Sequence, residues 1–236
     1  MNQVNNQLWN QDKEKKTHFE VIEQFLNYLN SETKDFVLKG GTSLMMCYGL
    51  DRFSEDIDLD STNKTIEKYI EKFCHQHGYM FRVAKDTDTT KRYMIHYSDT
   101  HRPLKIEVSY RKRHIEADKI DSINGISVYK INEIFGMKIN AYNGRDKIRD
   151  LYDVVYIVRN FKQELSDERI DMLKDALSFK GLEQFDYLLK TQTDELIDNE
   201  KLAVDFLDMF DQLGLIDDYP IEEDRSIEDD FDEVDK

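Results

Sequence analysis

The first sixty residues pass from helical spacing of apolar positions to alternating spacing. Apolar residues recur three or four positions apart over residues 16–29, which predicts an amphipathic helix. The apolar run 36–38 predicts a short buried strand, and the glycine-rich segment 40–43 breaks the chain before a short helix that ends at Gly49. Residues 53–60, where apolar and acidic positions alternate, are expected to be extended.

The next fifty residues predict most of a sheet. After a helix at residues 65–78, three strands are predicted, at residues 79–84, 92–97 and 104–110. In the last of these, Leu104, Ile106 and Val108 share one face, while Lys105 and Glu107 share the other. A sheet that is covered by helices on one side and open on the other produces this pattern.

From residue 131 onward the spacing is helical throughout. Helices are predicted over residues 131–142 and 146–161, and further helices are predicted to fill residues 167–213. We therefore predict an α+β fold, in which a mixed sheet with helices on one face precedes a helical C-terminal lobe. The expected division is a core at residues 1–130, a helical lobe at 131–216 that completes a cleft, and a disordered acidic tail at 217–236.

Charge is unevenly spread along the 236 residues. The formal net charge is -16, but the segment 221–236 holds nine acidic residues against Arg225 and Lys236, so it contributes -7 and leaves -9 for the rest. An acidic protein does not attract phosphate backbones at long range, so a nucleic-acid partner would need a local basic patch. The tail either solubilises the protein or folds back over such a patch.

Composition also bears on the compartment. The two cysteines, Cys47 and Cys74, form no CxxC pair, and the polar first ten residues contain no apolar signal core. No apolar stretch approaches the roughly 20 residues that cross a bilayer. We expect a soluble, reduced, cytoplasmic protein without a membrane partner.

The glycine-rich turn between a strand and a helix suits phosphate. Backbone N–H groups at a helix N-terminus point toward an anion, and glycine lets the chain approach it closely. A hydroxyl in the turn would add one more donor. We predict a nucleotide-binding site formed by Gly40, Gly41, Thr42 and Ser43.

Acidic side chains in the following extended segment suit a divalent metal. Alternation places Asp56, Asp58 and Asp60 on one face, and Glu107 on the open face of its own strand is the expected third ligand beside Asp56 and Asp58. Such carboxylates bind Mg²⁺ or Mn²⁺, which activates a hydroxyl and bridges a triphosphate. Solvated carboxylates beside an ordinary glycine turn would give the same sequence without any site.

A calcium-binding loop is a competing interpretation of the same acids. Asp56, Asp58, Asp60 and Glu67 occupy the first, third, fifth and twelfth positions of an EF-hand loop. Ser61 stands at the sixth position, where the sharp turn requires glycine. The calcium alternative is therefore disfavoured.

A second group of charged residues opens the helical half. Lys138 interrupts an apolar stripe, so it is expected to point toward the seam between the two halves; the alternative is a side chain that keeps its ammonium in water. Arg145 and Arg149 lie four residues apart, and they either grip phosphate or pair with Asp150 and Asp153. Residues 111–114, Arg-Lys-Arg-His, follow the Glu107 strand and form either an RNA-binding loop or a solvated one.

Two blocks of this sequence resemble the AbiEii/AbiGii toxin family of nucleotidyltransferases. The first is LKGGTSLMMCYGLDRFSEDIDLD, residues 38–60, and the second is INEIFGMKINAYNGRDKIRDLYDVV, residues 131–155. The resemblance spans about residues 15–165 and implies a polymerase-beta-like nucleotidyltransferase fold with a helical C-terminal lobe.

The resemblance also implies roles for individual residues. It matches Asp56 and Asp58 to the family's metal-binding pair, Lys138 to its catalytic lysine, and Asp150, or the nearby Asp153, to a further catalytic acid. One departure concerns the turn, because the wider superfamily has Gly-Ser where this chain has a threonine after the second glycine. The hydroxyl that meets the phosphate is thus left open between two residues.

The implied activity is transfer of a nucleotide from a nucleoside triphosphate (NTP) to an acceptor hydroxyl. Related MenT-type toxins imply RNA, in particular the tRNA 3′ end, as the acceptor. The family further implies a toxin of a toxin–antitoxin or phage-defence system, with a cognate antitoxin as partner. Two alternatives stay open: nucleotide transfer to a protein side chain, and a catalytically silent NTP-binding partner protein.

Overall fold

The computed structural model describes residues 12–195 and 197–215, which form seven strands and seven α-helices. In chain order these are α1 (Lys13–Glu32), β1 (Phe36–Lys39), α2 (Gly40–Cys47), β2 (Asp56–Ser61), α3 (Ile66–His77), β3 (Met80–Thr87), β4 (Thr90–His96), β5 (Leu104–Ser109), β6 (Ile120–Ile123), β7 (Ile126–Tyr129), α4 (Ile131–Gly144), α5 (Ile148–Phe161), α6 (Asp167–Thr191) and α7 (Asn199–Gln212). The predicted α+β class is confirmed.

All seven strands belong to one mixed sheet. Their order is β3-β4-β5-β2-β1-β7-β6, with β2 parallel to β5 and β1 parallel to β7. The other neighbours are antiparallel. The strand that carries the predicted metal pair, β2, therefore lies between β5, which carries Glu107, and β1, which leads into the glycine-rich turn.

The two faces of the sheet differ as the alternation in β5 predicted. Leu104, Ile106 and Val108 are buried, whereas Lys105 and Glu107 are partly exposed. Helices α1 and α3 meet each other edge-to-face through aromatic rings and share the core with the apolar residues of the strands. Burial of these apolar side chains is the main term that stabilises the sheet.

The helices after β7 pack into a second layer. Helix α4 contacts α5 and α6, and α5 contacts α7. The rings of Phe185 in α6 and Phe206 in α7 stack with their centroids 3.9 Å apart. Gly181, with φ of 67°, kinks α6. None of the helices in the described ranges is both long and apolar enough to cross a bilayer.

Three local features differ from the sequence prediction. The β6–β7 hairpin was not predicted, although Asn124 and Gly125, with φ of 52° and 82°, form the kind of Asn-Gly turn that marks a hairpin. Helix α2 begins at Gly40 instead of after the glycine-rich segment, and α4 continues through Gly144. The predicted acidic tail lies outside the described residues.

Candidate active site

A cleft of about 670 Å³ opens between the open face of the sheet and helices α4 and α5. Most residues that the sequence nominated line this cleft. They are Gly40, Gly41, Asp56, Asp58, Glu107, Lys138, Arg145, Arg149 and Asp150. The fold thus brings the two sequence blocks, residues 38–60 and 131–155, to the same cleft.

Close backbone approach explains the glycines of the turn. Gly40 has φ of 78°, and a Cβ atom at this position would lie 2.8 Å from Oδ2 of Asp58. A Cβ atom on Gly41 would lie 2.8 Å from Oγ of Ser54. No side chain caps the N-terminus of α2, and this N-terminus faces the cleft. The local structure therefore leaves a helix N-terminus beside a carboxylate, with room for an anion near its N–H groups.

The hydroxyls of the turn point into the protein. Thr42 is buried, and its hydroxyl donates to the backbone carbonyl of Asp56 and lies 2.9 Å from Oγ of Ser54. Ser43 is also buried, and its hydroxyl donates to the carbonyl of Gly40 at 2.7 Å. Thr42 thus ties the first turn of α2 to the strand that carries the acids. A role of either hydroxyl in phosphate binding stays a prediction.

The open face of the sheet carries a row of four charged side chains, in which two adjacent acidic residues lie between two basic ones. Lys39 of β1, Asp58 of β2, Glu107 of β5 and Arg92 of β4 are register partners in that order. Arg92 contacts Oε2 of Glu107 at 2.6 Å and 2.8 Å. In the next row, Nζ of Lys105 lies 2.5 Å from Asp56. Glu107 and Asp56 therefore each have a cationic partner across the strands, whereas Asp58 has no ion pair among the described residues.

Asp58 is held in an environment that disfavours its charge. Burial is the largest cause that raises its pKa above the usual value, and the negative charges of Asp56 and Glu107 act in the same direction. The positive charges of Lys105 and Lys39 oppose this increase. A raised carboxylate pKa that arises from burial and from other carboxylates indicates that the site favours added positive charge.

The carboxylates match a hard divalent cation in chemistry and in backbone position. Asp56 and Asp58 are two residues apart on one strand, and Glu107 is the register partner of Asp58. Among residues 12–195 and 197–215, however, no three His, Cys, Asp or Glu side chains are gathered into a ready metal site. The ion pairs with Lys105 and Arg92 account for this difference, because they turn two of the three carboxylates toward neighbouring cations. The residues fit Mg²⁺ if those side chains rotate.

The EF-hand alternative is wrong. The first half of the would-be loop is a strand, and Asp60 is buried against Lys39 and against the hydroxyl of Tyr129, which donates to it at 3.0 Å. Glu67 is turned toward Tyr93, whose hydroxyl donates to it at 3.0 Å. Asp60 and Glu67 therefore bind different groups of the protein and do not surround a common ion.

Lys138 and Arg52 share one buried carboxylate on the helical side of the cleft. Nζ of Lys138 lies 2.6 Å from Oδ2 of Asp153, and Arg52 donates to both oxygens of Asp153 at 2.7 Å and 2.6 Å. Burial alone would raise the pKa of Asp153, but the two cations hold it below its usual value. Lys138 is only 8% exposed, so the alternative with its ammonium in water is wrong.

The two arginines that follow have different carboxylate partners. Arg145 donates to both oxygens of the buried Asp150, at 2.6 Å and 3.0 Å, which agrees with the structural alternative for this residue. Arg149 pairs with Asp194, which the sequence did not nominate, rather than with Asp153. Both guanidinium groups remain partly exposed at the cleft. Phosphate binding by these arginines stays a prediction.

Sequence reasoning missed Arg52, Lys39 and Ser54, all of which line the cleft. No neighbouring sequence pattern predicts a role for Arg52, because its partner Asp153 lies 101 residues later in the chain. Lys39 had a usable signal, since it ends the strand before the glycine turn. A lysine beside a predicted phosphate site is a reasonable candidate for an anion contact.

A family model described as the nucleotidyl transferase AbiEii toxin, type IV toxin–antitoxin system, matches residues 24–234. The chain belongs to this family. JHP933 from Helicobacter pylori is 26% identical, with a TM-score of 0.72 over 88% of this chain and 95% of that one. A second H. pylori structure, described as a candidate nucleotidyltransferase, is 25% identical, with a TM-score of 0.72 over 89% and 99%. No curated protein matches the chain significantly.

This AbiEii-family protein has the mixed sheet and the helical C-terminal region that the resemblance implied for a nucleotidyltransferase. The family match extends well beyond the two blocks that carried the resemblance, into the segment after α7. Family membership supports a nucleotidyltransferase activity and implies an antitoxin partner and an NTP substrate.

Proposed function

We propose that the protein transfers a nucleotide from an NTP to a hydroxyl of an RNA acceptor, the 3′ end of tRNA in particular, in a Mg²⁺-dependent reaction. One observation carries this proposal. Asp58, whose pKa is raised, lies against Gly40 at the start of α2 and lines the same cleft as Lys138. A phosphate-binding helix start, clustered carboxylates and a buried lysine are the parts that nucleotidyl transfer needs.

Binding of the triphosphate would use both sides of the cleft. The N–H groups of Gly40 and Gly41 would hold phosphate oxygens, with the hydroxyl of Thr42 or Ser43 as a further donor after a side-chain rotation. This places the nucleotide between the core, residues 1–130, and the helical lobe, residues 131–216. Cations from that lobe would reach the same phosphates. They are Lys138, Arg145 and Arg149.

The reaction is an in-line substitution at the α-phosphorus. The acceptor oxygen forms a bond to phosphorus, the bond to the bridging α–β oxygen breaks, and pyrophosphate leaves. Asp56, Asp58 and Glu107 would hold Mg²⁺ or Mn²⁺, which when bound activates the attacking hydroxyl and neutralises the phosphates. Glu107 is suited to receive the hydroxyl proton, because its carboxylate is partly exposed to the cleft.

The helical side would stabilise charge that develops during transfer. Lys138 would place its ammonium near the leaving pyrophosphate, and its contact with Asp153 fixes its direction. Asp150, which the resemblance matched to a further catalytic acid, would act by holding Arg145 at the rim of the cleft. As a toxin of a toxin–antitoxin or phage-defence system, the protein would act in the cytoplasm and be silenced by a cognate antitoxin.

The acceptor can be determined with labelled substrate. Purified protein is incubated with each of four α-labelled NTPs, Mg²⁺ and whole-cell extract, and the product is treated separately with RNase and protease. We expect the label to become acid-soluble after RNase treatment and to survive protease. The opposite result would identify a protein side chain as the acceptor.

The catalytically silent alternative predicts a different outcome. Such a protein would transfer no label from any NTP, even though an NTP with Mg²⁺ could still raise its melting temperature. The protein-acceptor alternative requires the same carboxylates and lysine, so the cleft itself does not distinguish it from RNA transfer. A difference between these acceptors must therefore lie in residues other than these shared carboxylates and this lysine.

A further inference from the structure

One strongly basic segment remains outside the roles assigned above. The basic loop, Arg111-Lys112-Arg113-His114, directly follows β5, and all four residues are exposed. It carries three positive charges without an acidic residue in between. Because β5 also carries Glu107, the loop begins two residues after the end of the strand that contributes the predicted third metal ligand.

Contacts to the buried core fix this loop in place. Nζ of Lys112 lies 3.2 Å from Oδ2 of Asp60, donates to the hydroxyl of Tyr129 at 2.9 Å, and lies 4.2 Å from the centroid of the Tyr129 ring. Asp60 is buried and also binds Lys39, so one carboxylate holds two lysines. The loop is therefore anchored to the same strand that carries Asp58, and its neighbourhood has excess positive charge.

The arginines of the loop are available to a ligand. Within residues 12–195 and 197–215, neither Arg111 nor Arg113 has a hydrogen bond or an ion pair, whereas Arg145 and Arg149 both pair with carboxylates. Arg111 also lines the cleft. An exposed guanidinium without a carboxylate partner binds phosphate oxygens well, because no internal ion pair has to be broken.

The opposite end of the cleft has the reverse charge. A second cavity of about 510 Å³ shares Glu55 and Asp56 with the cleft. Its wall contains three basic side chains against five acidic ones, so it repels a polyanion. The basic residues are Lys15, Arg102 and Lys105, and the acidic residues are Asp12, Glu14, Glu55, Asp56 and Glu195.

We propose that the basic loop is the docking surface for the sugar–phosphate backbone of the acceptor RNA. The RNA strand enters from the Arg111 end of the cleft and presents its terminal hydroxyl to the carboxylates of β2 and β5. This inference rests on the proposed function, because it assigns the surface that selects RNA as acceptor. Arg111 and Arg113 contact phosphates, so the surface favours RNA over other acceptors by charge and does not read base sequence.

The test uses the full chain with both free arginines replaced, Arg111→Gln together with Arg113→Gln. Lys112 is left intact so that the Asp60 contacts persist. The control is Arg102→Gln, which removes an exposed arginine from the acidic end of the cleft. Binding of fluorescein-labelled tRNA and of a labelled single-stranded RNA is measured by anisotropy at several salt concentrations, alongside the KM for the NTP.

We expect the double variant to bind both RNAs about tenfold more weakly, with the slope of log Kd against log salt reduced by about 0.7 for each lost contact to a single strand. The KM for the NTP and the melting temperature should not change, because neither arginine has a partner in the described fold. Arg102→Gln should leave RNA affinity and salt slope at the wild-type values.

Unchanged RNA affinity and salt slope in the double variant would overturn the proposal. It would equally be overturned if the KM for the NTP rose while RNA affinity stayed constant, because the loop would then serve the triphosphate. These results are distinguishable from failure of the proposed function. In that case the wild-type protein itself would label protein, or nothing, instead of RNA.

Discussion

The cleft has a sheet wall, which carries Asp58 on β2, and a helical wall, which carries Lys138 on α4 and Asp153 on α5. The carboxylates of the two walls have pKa shifts in opposite directions. On the sheet wall, burial and neighbouring acids raise the pKa of Asp58. On the helical wall, Arg52 and Lys138 hold the pKa of Asp153 below its usual value. The negative charge of Asp58 on the sheet wall is therefore not fully compensated by the fold. The carboxylate of Asp153 on the helical wall has two cationic partners.

This difference separates a binding role from a structural one. A carboxylate whose ionised form is disfavoured in the folded protein is stabilised when a cation binds. A carboxylate that already has two cations has its charge compensated by the fold and holds its neighbours in place. We infer that the sheet wall supplies the ligand-binding charge and that the helical wall positions Lys138 and Arg52.

The largest expected effect on stability is at Asp153. Asp153→Asn should lower the free energy of unfolding by about 3–5 kcal/mol, because it leaves Arg52 and Lys138 without their buried partner. The matched change Asp58→Asn should leave the free energy of unfolding unchanged or increase it, since it removes a disfavoured charge. Urea unfolding followed by circular dichroism measures both. Equal losses in the two variants would contradict the comparison of the walls.

The pH dependence of stability should show the same contrast. A depressed carboxylate pKa contributes stability that is present above the ordinary pKa of 3.8 and is lost as the pH falls through the lower folded value. The advantage of wild type over Asp153→Asn should therefore hold from neutral pH to about 4 and disappear below it. The pKa of Asp58 is shifted in the opposite direction. Wild type should therefore become more stable relative to Asp58→Asn as the pH falls and Asp58 is protonated. If the stability advantage of wild type over Asp153→Asn were already lost between about pH 7 and 5, the lowered pKa of Asp153 would be contradicted.

A smaller effect is expected at the glycine that links β1 to α2. Gly40→Ala should cost about 1–2 kcal/mol of stability, because a Cβ atom is unfavourable in a left-handed conformation. It should also reduce nucleotidyl transfer, because the added carbon would displace the Asp58 carboxylate. Gly78→Ala is the control, since Gly78 also has a left-handed φ, of 69°, but nothing lies within 4 Å of its added carbon and it does not line the cleft. If both variants transferred label as wild type does, the close approach of Gly40 and Asp58 would be irrelevant to the reaction.

The sheet wall was predictable because its pattern is local. Two-residue alternation in β2 and β5 identified the acids, and the strand–glycine–helix order identified the turn. The β6–β7 hairpin was also marked locally, by Asn124 and Gly125, and an Asn-Gly turn could have revealed it. Its strands are short, at four residues each, so their apolar periodicity is weak.

The helical wall was less predictable because its partners are distant in sequence. Lys138 was expected to face inward and does so, but no partner was predicted for it, because its contact with Asp153 depends on how α4 packs on α5. Arg52 joins the same carboxylate from a loop between α2 and β2. Packing geometry of this kind is set by the whole core and leaves no periodic signal in the sequence.

One measurement tests the central claim that the sheet wall drives nucleotidyl transfer. Transfer of label from an α-labelled NTP to RNA is followed with Mg²⁺ for wild type, Asp58→Asn and Asp88→Asn, the last being a matched change on the exposed β3–β4 turn. We expect Asp58→Asn to reduce the rate on the order of 1000-fold with the fold intact, which corresponds to about 4 kcal/mol of transition-state stabilisation, and Asp88→Asn to behave as wild type. Wild-type rates in a folded Asp58→Asn protein would contradict the account.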